Sequence, residues 1–374
     1  MAAAPGAKQG AAHGMTPPCQ SPIAVAVSGG RDSLLALALL KEQGHAVVAV
    51  HARFLPGEWP AIEQDARLGA PLLKVCRQLG AELRVLDLRD EFERRVVAPF
   101  VAEYQSGRTP NPCALCNPRL KFGLLFDRAA REFGASRIAT GHYARLEHDS
   151  RYGLCLRRGL DATKDQSYFL ALVPRARLEK AVFPLGAWRK ADVALALEAR
   201  GLKPPLPLES QEVCFIANDD YKAFLEARGV ELPGPGTLEM EGGKVVGRHE
   251  GLWRYTVGQR RGLGVAWSEP LYVLRKDVAR NALVVGPKAA LASSGCLARE
   301  VNVLVDRALW PEFVLVKTRY RQEPAPARVR DAGDGLAFEF LEPHERPAPG
   351  QVAAAYDEAG TLLAGGIVSD RGAD

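Results

Sequence analysis

A short apolar run, Ile23-Ala24-Val25-Ala26-Val27, stops at Ser28-Gly29-Gly30, and a helical pattern begins at Asp32 and continues to about Gln43. No other segment constrains the fold as much. Gly44 stands where a helix C-cap glycine belongs. A second apolar strand follows at Ala46–Val50. Strand, glycine turn, helix and strand make a βαβ unit. The rhythm continues with a helix near Glu63–Leu79, a strand near Leu83–Leu88, helices near Glu91–Tyr104 and Leu120–Phe133, and a strand at Arg137–Thr140. Strands alternating with helices predict an α/β domain with a parallel sheet covered on both faces.

The turn itself, Ser28-Gly29-Gly30-Arg31-Asp32-Ser33, is suited to phosphate. Glycines let backbone N–H groups converge on an anion, and the following helix N-terminus adds partial positive charge. The Ser28 and Ser33 hydroxyls can donate to phosphate oxygens. A plain strand-to-helix turn is the other reading. Neither G-x-x-x-x-G-K-[ST] nor G-x-G-x-x-G is present, which argues against a Walker loop and a dinucleotide fold.

The 374 residues allow two or three domains, at roughly 100–200 residues each. The grammar changes after about Gly201. A Pro-rich linker at Lys203–Leu208 leads into Gly- and Pro-rich turns with short strands. Short runs at Val301–Val305, Phe313–Tyr320, Ala337–Phe340 and Ala353–Tyr356 suggest a small antiparallel barrel. The expected division is 1–20, a disordered Ala/Gly/Pro-rich tail; 21–207, the nucleotide domain; 208–288, a small β-rich central domain; and 289–374, a C-terminal β-barrel. Met15 is a second candidate start beside Met1. No apolar run approaches the roughly 20 residues of a membrane span, and the tail makes a poor secretory or transit signal. A cytoplasmic, membrane-free chain is expected. The net charge of +5 is permissive for a nucleic-acid partner.

Seven cysteines are too few for a disulfide scaffold of this length. In Thr109-Pro110-Asn111-Pro112-Cys113-Ala114-Leu115-Cys116-Asn117 two prolines impose a rigid approach. Asn117 is expected to cap a helix beginning near Pro118, which would put Cys116 near a helix N-terminus where its thiolate is favoured. The other reading, half a zinc site, calls for a second CxxC or a His pair, and neither occurs. Cys214, in Val213-Cys214-Phe215-Ile216, would by its neighbours alone be an inert core cysteine. Cys76, Cys155 and Cys296 read as core.

Ser28–Ser33 resembles the PP-loop of the ATP pyrophosphatase superfamily (adenine nucleotide alpha hydrolase-like), whose members adenylate a substrate oxygen. Arg31 departs from the commoner small apolar residue. The cysteine segment with Lys121-Phe122, then Ala139-Thr140-Gly141-His142-Tyr143, Lys164-Asp165-Gln166-Ser167-Tyr168-Phe169, Val213–Ile216, Thr256-Val257-Gly258-Gln259-Arg260-Arg261-Gly262-Leu263-Gly264, Lys317-Thr318-Arg319-Tyr320-Arg321-Gln322 and Pro349-Gly350-Gln351 is similar to the tRNA 2-thiouridylase family (MnmA/TrmU-like). The likeness covers all but the tail.

The resemblance implies a tRNA-uridine 2-sulfurtransferase using ATP and Mg²⁺, with Asp32 a candidate support for the ion. It implies ATP contacts at Ala26, Val27, Ser28, Gly29, Gly30, Arg31, Asp32, Ser33, Ala52 and Gly141. Asn111, Pro112 and Cys113 would meet the target base, His142, Lys164, Asp165, Gln166, Arg319, Tyr320 and Gln351 the tRNA, and the central domain at 208–288 would contact the tRNA as well. Cys116 would be the nucleophile and Cys214 the persulfide carrier, with a transient Cys116–Cys214 disulfide. The usual partners are tRNAs reading Lys, Glu and Gln codons, and a sulfur donor that is either a relay protein or a cysteine desulfurase. Many members have Asp where this chain has Cys113. That substitution opens an alternative in which Cys113, Cys116 and Cys214 hold a [4Fe-4S] cluster that delivers sulfide. The rivals are a PP-loop enzyme adenylating a small molecule and a non-catalytic tRNA-binding or iron–sulfur protein.

Overall fold

The computed structural model describes residues 21–55, 61–206 and 213–370, with the side chains of all of these except 61–67. The tail expected at 1–20 and the end of the expected linker lie outside the described residues.

The first layer holds β1 (Ile23–Ala26), β2 (Val47–Arg53), β3 (Glu82–Asp87) and β4 (Arg137–Ala139). A hairpin of β5 (Ala144–Asp149) and β6 (Gly153–Arg158) follows, then β7 (Ala181–Val182). The sheet order is β3-β2-β1-β4-β7, and every pairing is parallel. β1 lacks alternation because both of its faces are buried. Ile23 and Val25 pack with Leu37 and Leu40 of helix α1 (Arg31–Glu42) and with Leu72 of α2 (Ala61–Gln78). Ala24 faces the other way, toward Phe122, Ile138 and Tyr168. Gly44 follows α1 with φ +79°, as its place in the sequence predicts. The strand order reverses at β1, whose neighbours are β2 on one side and β4 on the other. The carboxyl ends of β1 and β4 therefore flank the crevice where open α/β sheets bind ligands.

Two of the expected helices are interrupted. The first runs Arg89–Phe92, widens into a π-helical turn at Glu93–Val97, and resumes at Ala98–Gln105. The second begins at Pro112–Cys116, widens over Asn117–Leu125, and ends as Phe126–Phe133. Pro118 has no N–H to offer the α-helical ladder. Gly123 completes the wide turn, because a Cβ there would lie 2.5 Å from the Pro118 carbonyl oxygen. The expected Asn117 cap is thereby corrected. Asn111 is the cap, its Oδ1 accepting from Ala114 N at 3.1 Å, while Asn117 is buried with its Nδ2 donating to Phe169 O at 2.8 Å.

The central unit is a four-stranded sheet of β8 (Gly236–Met240), β9 (Val245–His249), β10 (Tyr272–Asp277) and β11 (Ala282–Gly286), ordered β10-β11-β8-β9. The last six strands are β12 (Ala292–Val303), β13 (Val314–Lys317), β14 (Ala325–Ala332), β15 (Gly335–Glu345), β16 (Val352–Tyr356) and β17 (Leu362–Val368). They close into the antiparallel barrel read from the sequence, in the order β12-β15-β14-β13-β16-β17. β16 is buried at all five positions. Ala353 and Ala355 pack inside the barrel with Phe338, while Val352, Ala354 and Tyr356 join Ala24, Ile138 and Tyr168 in the core of the first layer. Tyr168 donates its hydroxyl to Val352 O at 3.0 Å, and Asn302 Nδ2 donates to Ala171 O and Val173 O, each at 2.9 Å. The barrel thus shares a core with the parallel sheet. Among the described residues no helix is long and apolar enough to cross a membrane.

Candidate active site

Val27 ends β1 and hands the chain to a turn fixed by its own hydroxyls. Ser33 Oγ accepts from Ser28 N at 3.1 Å, donates to Gly30 O at 3.1 Å and lies 3.2 Å from Ser28 Oγ. Gly29 has φ +85°, a conformation that favours glycine. Gly30 caps α1 without a side-chain hydrogen bond, so no cap competes with an anion for the first N–H groups of the helix. Ala52 lies at the end of β2, and Gly141 just beyond β4. The residues expected to hold ATP therefore sit at the carboxyl ends of adjacent parallel strands and on the first turn of α1. Gly141 lies flat on the start of α1, where an added Cβ would meet Asp32 C and Ser33 N, both at 2.9 Å. Gly141→Val should therefore displace the turn and weaken binding of a non-hydrolysable ATP analogue by at least about tenfold, or ~1.4 kcal/mol. Calorimetric titration would measure it, and wild-type affinity would count against this placement of the nucleotide.

The sequence pattern gives no hint of what surrounds Asp32. Lys190, at the start of the helix Lys190–Glu198, places its ammonium 2.8 and 2.7 Å from the two carboxylate oxygens, and Tyr143 donates its hydroxyl at 2.8 Å. Asp32 is thus a neutralised carboxylate at the helix N-terminus rather than an open cation ligand. Lys190 is a site residue that no local motif announces.

Cys113 and Cys116 lie in the short helix before the wide turn, with Cys116 buried. Burial pushes the Cys116 thiol up to about 11 and raises that of Cys113 as well. The expectation of a favoured Cys116 thiolate is therefore corrected for the resting fold. Cys116 ends the short helix instead of beginning one, so desolvation outweighs any dipole. Cys214 is solvent-accessible rather than core, yet protein crowds its wider surroundings. That crowding, and the charges of Cys116 and Cys113, push its thiol up to about 12. Its neighbours Phe215 and Ile216 enter the same apolar cluster as Cys116, Leu120, Phe92 and Phe100. Phe215 meets Phe92 and Phe100 edge to face at 5.6 and 5.2 Å. This cluster anchors the Cys214 segment beside Cys116. Cys76, Cys155 and Cys296 are buried, as read.

One cation opposes the burial of all three thiols. Lys121 lowers the pKa of Cys113, Cys116 and Cys214, and it also disfavours protonation of His142. It follows Cys116 by five residues, the spacing that a π-helical turn brings onto one face. Lys121 is half-buried, and it belonged to a recognised motif without a role of its own.

The residues expected to meet tRNA are placed diversely. His142 is buried among Phe122 and Phe183, its Nδ1 2.7 Å from Thr140 Oγ1, and burial holds it neutral. It would meet RNA only through a base delivered into the site. Asp165 is buried and saturated, accepting from Gly159 N, Ser167 N and Ser167 Oγ at 3.0 Å each. Gln166 accepts from Tyr143 N at 3.1 Å, and Lys164 is half-buried on the same turn. Tyr320 packs on Phe169 with ring centroids 4.4 Å apart. Arg319 donates to Val257 O at 2.9 Å. Gln351 donates to Thr109 O and Pro110 O at 2.8 and 3.2 Å, bracing the approach to Asn111 and Pro112.

Gly141 touches the phosphate turn and its neighbour His142 faces the cation beside the thiols, so the two halves of the site adjoin. Their class is a nucleotide-binding enzyme built on a parallel α/β sheet, with cysteines beside the nucleotide turn. Family profiles match in three consecutive stretches: a tRNA methyl transferase HUP domain at residues 21–218, a tRNA methyl transferase PRC-barrel domain at 222–287, and an aminomethyltransferase beta-barrel domain at 293–368. The tRNA-specific 2-thiouridylase MnmA of Nitratidesulfovibrio vulgaris (strain DSM 19637 / Miyazaki F) is 56% identical over 349 residues, spanning 92% of this chain and 98% of that protein. The protein of the same name from Aquifex aeolicus is 39% identical over 361 residues, 93% and 99% of the two chains. The chain belongs to the tRNA-specific 2-thiouridylase family. Among solved structures, the U34-tRNA thiolase NcsA from Methanococcus maripaludis with its [4Fe-4S] cluster is 18% identical with a TM-score of 0.35, over 55% of this chain and 65% of that one. So distant a likeness carries no argument about the chemistry.

Proposed function

We propose that the chain replaces the C2 oxygen of a tRNA uridine with sulfur, in two half-reactions held by the two halves of the site. The uridine C2 oxygen attacks the α-phosphate of ATP, releasing pyrophosphate and making AMP the leaving group. The turn Ser28–Ser33 orients the phosphates on the α1 N-terminus. Mg²⁺, when bound, would supply positive charge that offsets the triphosphate. Asp32 does not fit as its ligand, because Lys190 and Tyr143 already occupy the carboxylate. Asn111, Pro112 and Cys113 would receive the flipped base, and His142 would lie beneath it.

The terminal sulfur of a Cys214 persulfide then attacks C2 and AMP departs. The Cys116 thiolate attacks Cys214 Sγ. The bond between Cys214 Sγ and the transferred sulfur breaks, its electron pair stays on the new 2-thiouridine, and a Cys116–Cys214 disulfide forms. An external thiol returns both cysteines to thiols by supplying two electrons. The observation that carries this reading is the anchoring of Cys214 beside Cys116 through Phe215 and Ile216. The [4Fe-4S] alternative is less well supported. Among the described residues no three Cys, His, Asp or Glu side chains stand close enough to hold a metal ion. Cys113, Cys116 and Cys214 are near enough to act on one another's charge, and they are the residues that would hold a cluster if this chain carries one. The substrates would be tRNAs reading Lys, Glu and Gln codons, and the persulfide would come from a relay protein or a desulfurase.

The test is thiolation of unmodified tRNA with ATP, Mg²⁺ and a sulfur donor, read as retardation on a mercury-containing gel. Retardation that requires ATP and Cys214 supports the reading. ATP-dependent pyrophosphate release without any tRNA dependence would point instead to a small-molecule PP-loop enzyme.

Lys121 gives a further expectation. Its charge lowers the Cys116 pKa, so Lys121→Met should move that pKa further above about 11. The rate of iodoacetamide alkylation of Cys116 should then fall at every pH below the pKa, with the whole profile shifted upward and partly restored by Lys121→Arg. An unshifted profile would remove Lys121 from the thiol chemistry.

A further inference from the structure

The central unit carries a loop, Thr256–Pro270, whose construction exceeds what a connector between strands needs. Leu263 is its buried anchor, packed with Leu238, Leu271 and Val273. Gly258 N donates to Val273 O at 2.8 Å, and Val273 N donates to Gln259 O at 2.9 Å. Gln259 braces the turn from within, its Oε1 accepting from Thr256 N at 3.1 Å and its Nε2 donating to Arg261 O at 2.8 Å. Gly258, Gly262 and Gly264 take φ values of +86°, +77° and +68°. The loop is therefore held in one shape, and that shape presents Arg260 and Arg261 to solvent. Neither guanidinium has a hydrogen bond or ion pair among the described residues. Other arginines of the same unit are engaged: Arg254 with Glu226, Arg275 with Asp277, Arg280 with Glu239. Further along, Trp267 is 39% exposed, with the Lys244 ammonium 5.1 Å from its ring centroid.

The loop borders a cleft of about 460 Å³ lined by residues of all three units: Thr109, Thr256–Gln259, Arg319, Ala348 and Gln351. Arg346 adds charge nearby, its Nε buried without a partner among the described residues and its carbonyl 3.5 Å from Arg319. Acids lie here too: Glu345, 3.5 Å from Arg319, Glu269 on the loop itself, and Glu103 and Asp370, both paired with Arg108 beside Thr109. Glu345, Glu103 and Asp370 are thus engaged by arginines, whereas Arg260 and Arg261 stand on the rim as cations without an ion pair among the described residues. The cleft floor at Thr109 leads within two residues to Asn111.

We propose that this cleft and its arginine rim bind the RNA strand flanking the target uridine, with backbone phosphates on Arg260 and Arg261 and a neighbouring base stacked at Trp267. The inference rests on the tRNA reading above. Paired cations on a fixed loop suit the regular spacing of phosphates, and an exposed indole beside a lysine suits any base face, so the contact would hold the strand without reading its sequence. It gives a reason for three units of the chain to meet at this cleft: each contributes one wall.

The experiment compares the full chain with its Arg260→Ala/Arg261→Ala and Trp267→Ala variants in binding unmodified tRNA by fluorescence anisotropy, from 50 to 300 mM KCl. Melting temperatures should be unchanged, because all three side chains are exposed. The double variant should bind about tenfold more weakly at the low-salt end. Its plot of log affinity against log salt should be shallower by between one and two, since each lost single-strand phosphate contact removes about 0.7. Trp267→Ala should weaken binding several-fold, with the salt slope kept. Wild-type affinity and slope in the double variant would overturn the proposal. So would intact tRNA binding combined with a defect seen only when a donor protein, and not free sulfide, supplies the sulfur, because the loop would then dock that protein. If the unaltered chain binds no tRNA at all, the sulfurtransferase reading falls with it.

Discussion

Cys214→Ser is expected to leave ATP-dependent pyrophosphate release on tRNA largely intact while lowering thiolation by roughly a thousandfold or more, about 4 kcal/mol of barrier. Two features set the two readouts apart. The phosphate turn at the end of β1 is braced by its own hydroxyls and by Leu206 N on Gly29 O, whereas Phe215 and Ile216 are held in the separate apolar cluster around Cys116. Serine also keeps the size of the side chain at an exposed position, so Phe215 and Ile216 stay in their cluster and the fold survives. What is lost is the atom able to carry a second sulfur, since a serine hydroxyl forms no persulfide. Adenylated tRNA should then accumulate, visible as radiolabel from α-labelled ATP retained on the RNA. Cys116→Ser should differ in one respect: sulfur should reach the base once but remain bonded to Cys214, giving a covalent protein–tRNA adduct that a strong thiol releases. Equal loss of pyrophosphate release and thiolation in Cys214→Ser would mean that the cysteine acts in activation, and the two-part scheme would fail.

Lys190→Met should damage the other half-reaction. Its ammonium sits within 2.8 Å of both oxygens of Asp32, at the end of the helix that receives the phosphates. Without it, a partly buried carboxylate stands unneutralised where a polyanion must bind. Leaving such a group unpaired costs about 1–3 kcal/mol, and repulsion of the triphosphate adds to that, so kcat/KM for ATP should drop by a hundredfold or so. Alkylation of Cys116 should be unaffected, because Lys190 has no part in the thiol cluster. The double variant Asp32→Asn/Lys190→Met should recover part of the loss, since it removes the orphaned charge together with its partner. No recovery would indicate that Lys190 acts on ATP directly.

The parts of this molecule that were readable in advance are those encoded over a few residues. The apolar β1, the glycine turn, Gly44 and the alternating late strands announce the parallel sheet and the barrel through local geometry. The errors lie where local and distant chemistry compete. Asn117-Pro118 has the form of a helix start, and in a free peptide it would be one. Here the chain is already helical from Pro112, Asn117 is drawn inward by Phe169 O, and the missing Pro118 N–H is absorbed as a wide turn. That turn also inverted the expectation for Cys116, since burial dominates once the residue leaves the helix start. Lys190 and Asp32 are 158 residues apart, and no spacing rule links them. Gln351 and Arg319 were singled out by motif, but their observed partners, Thr109, Pro110 and Val257, belong to units whose docking no local pattern describes.

The membership of β16 in two cores has a consequence for how the chain is made. Ala24, Ile138 and Tyr168 are synthesised early, yet their packing is incomplete until Val352, Ala354 and Tyr356 arrive. At roughly 5–20 residues per second, about a quarter of a minute to a minute separates β1 from β16 on the ribosome. Through that interval the nascent sheet carries an uncovered apolar face. The ATP-activating half of the enzyme should therefore mature only when translation is nearly finished, which ties the appearance of adenylating activity to the completed chain.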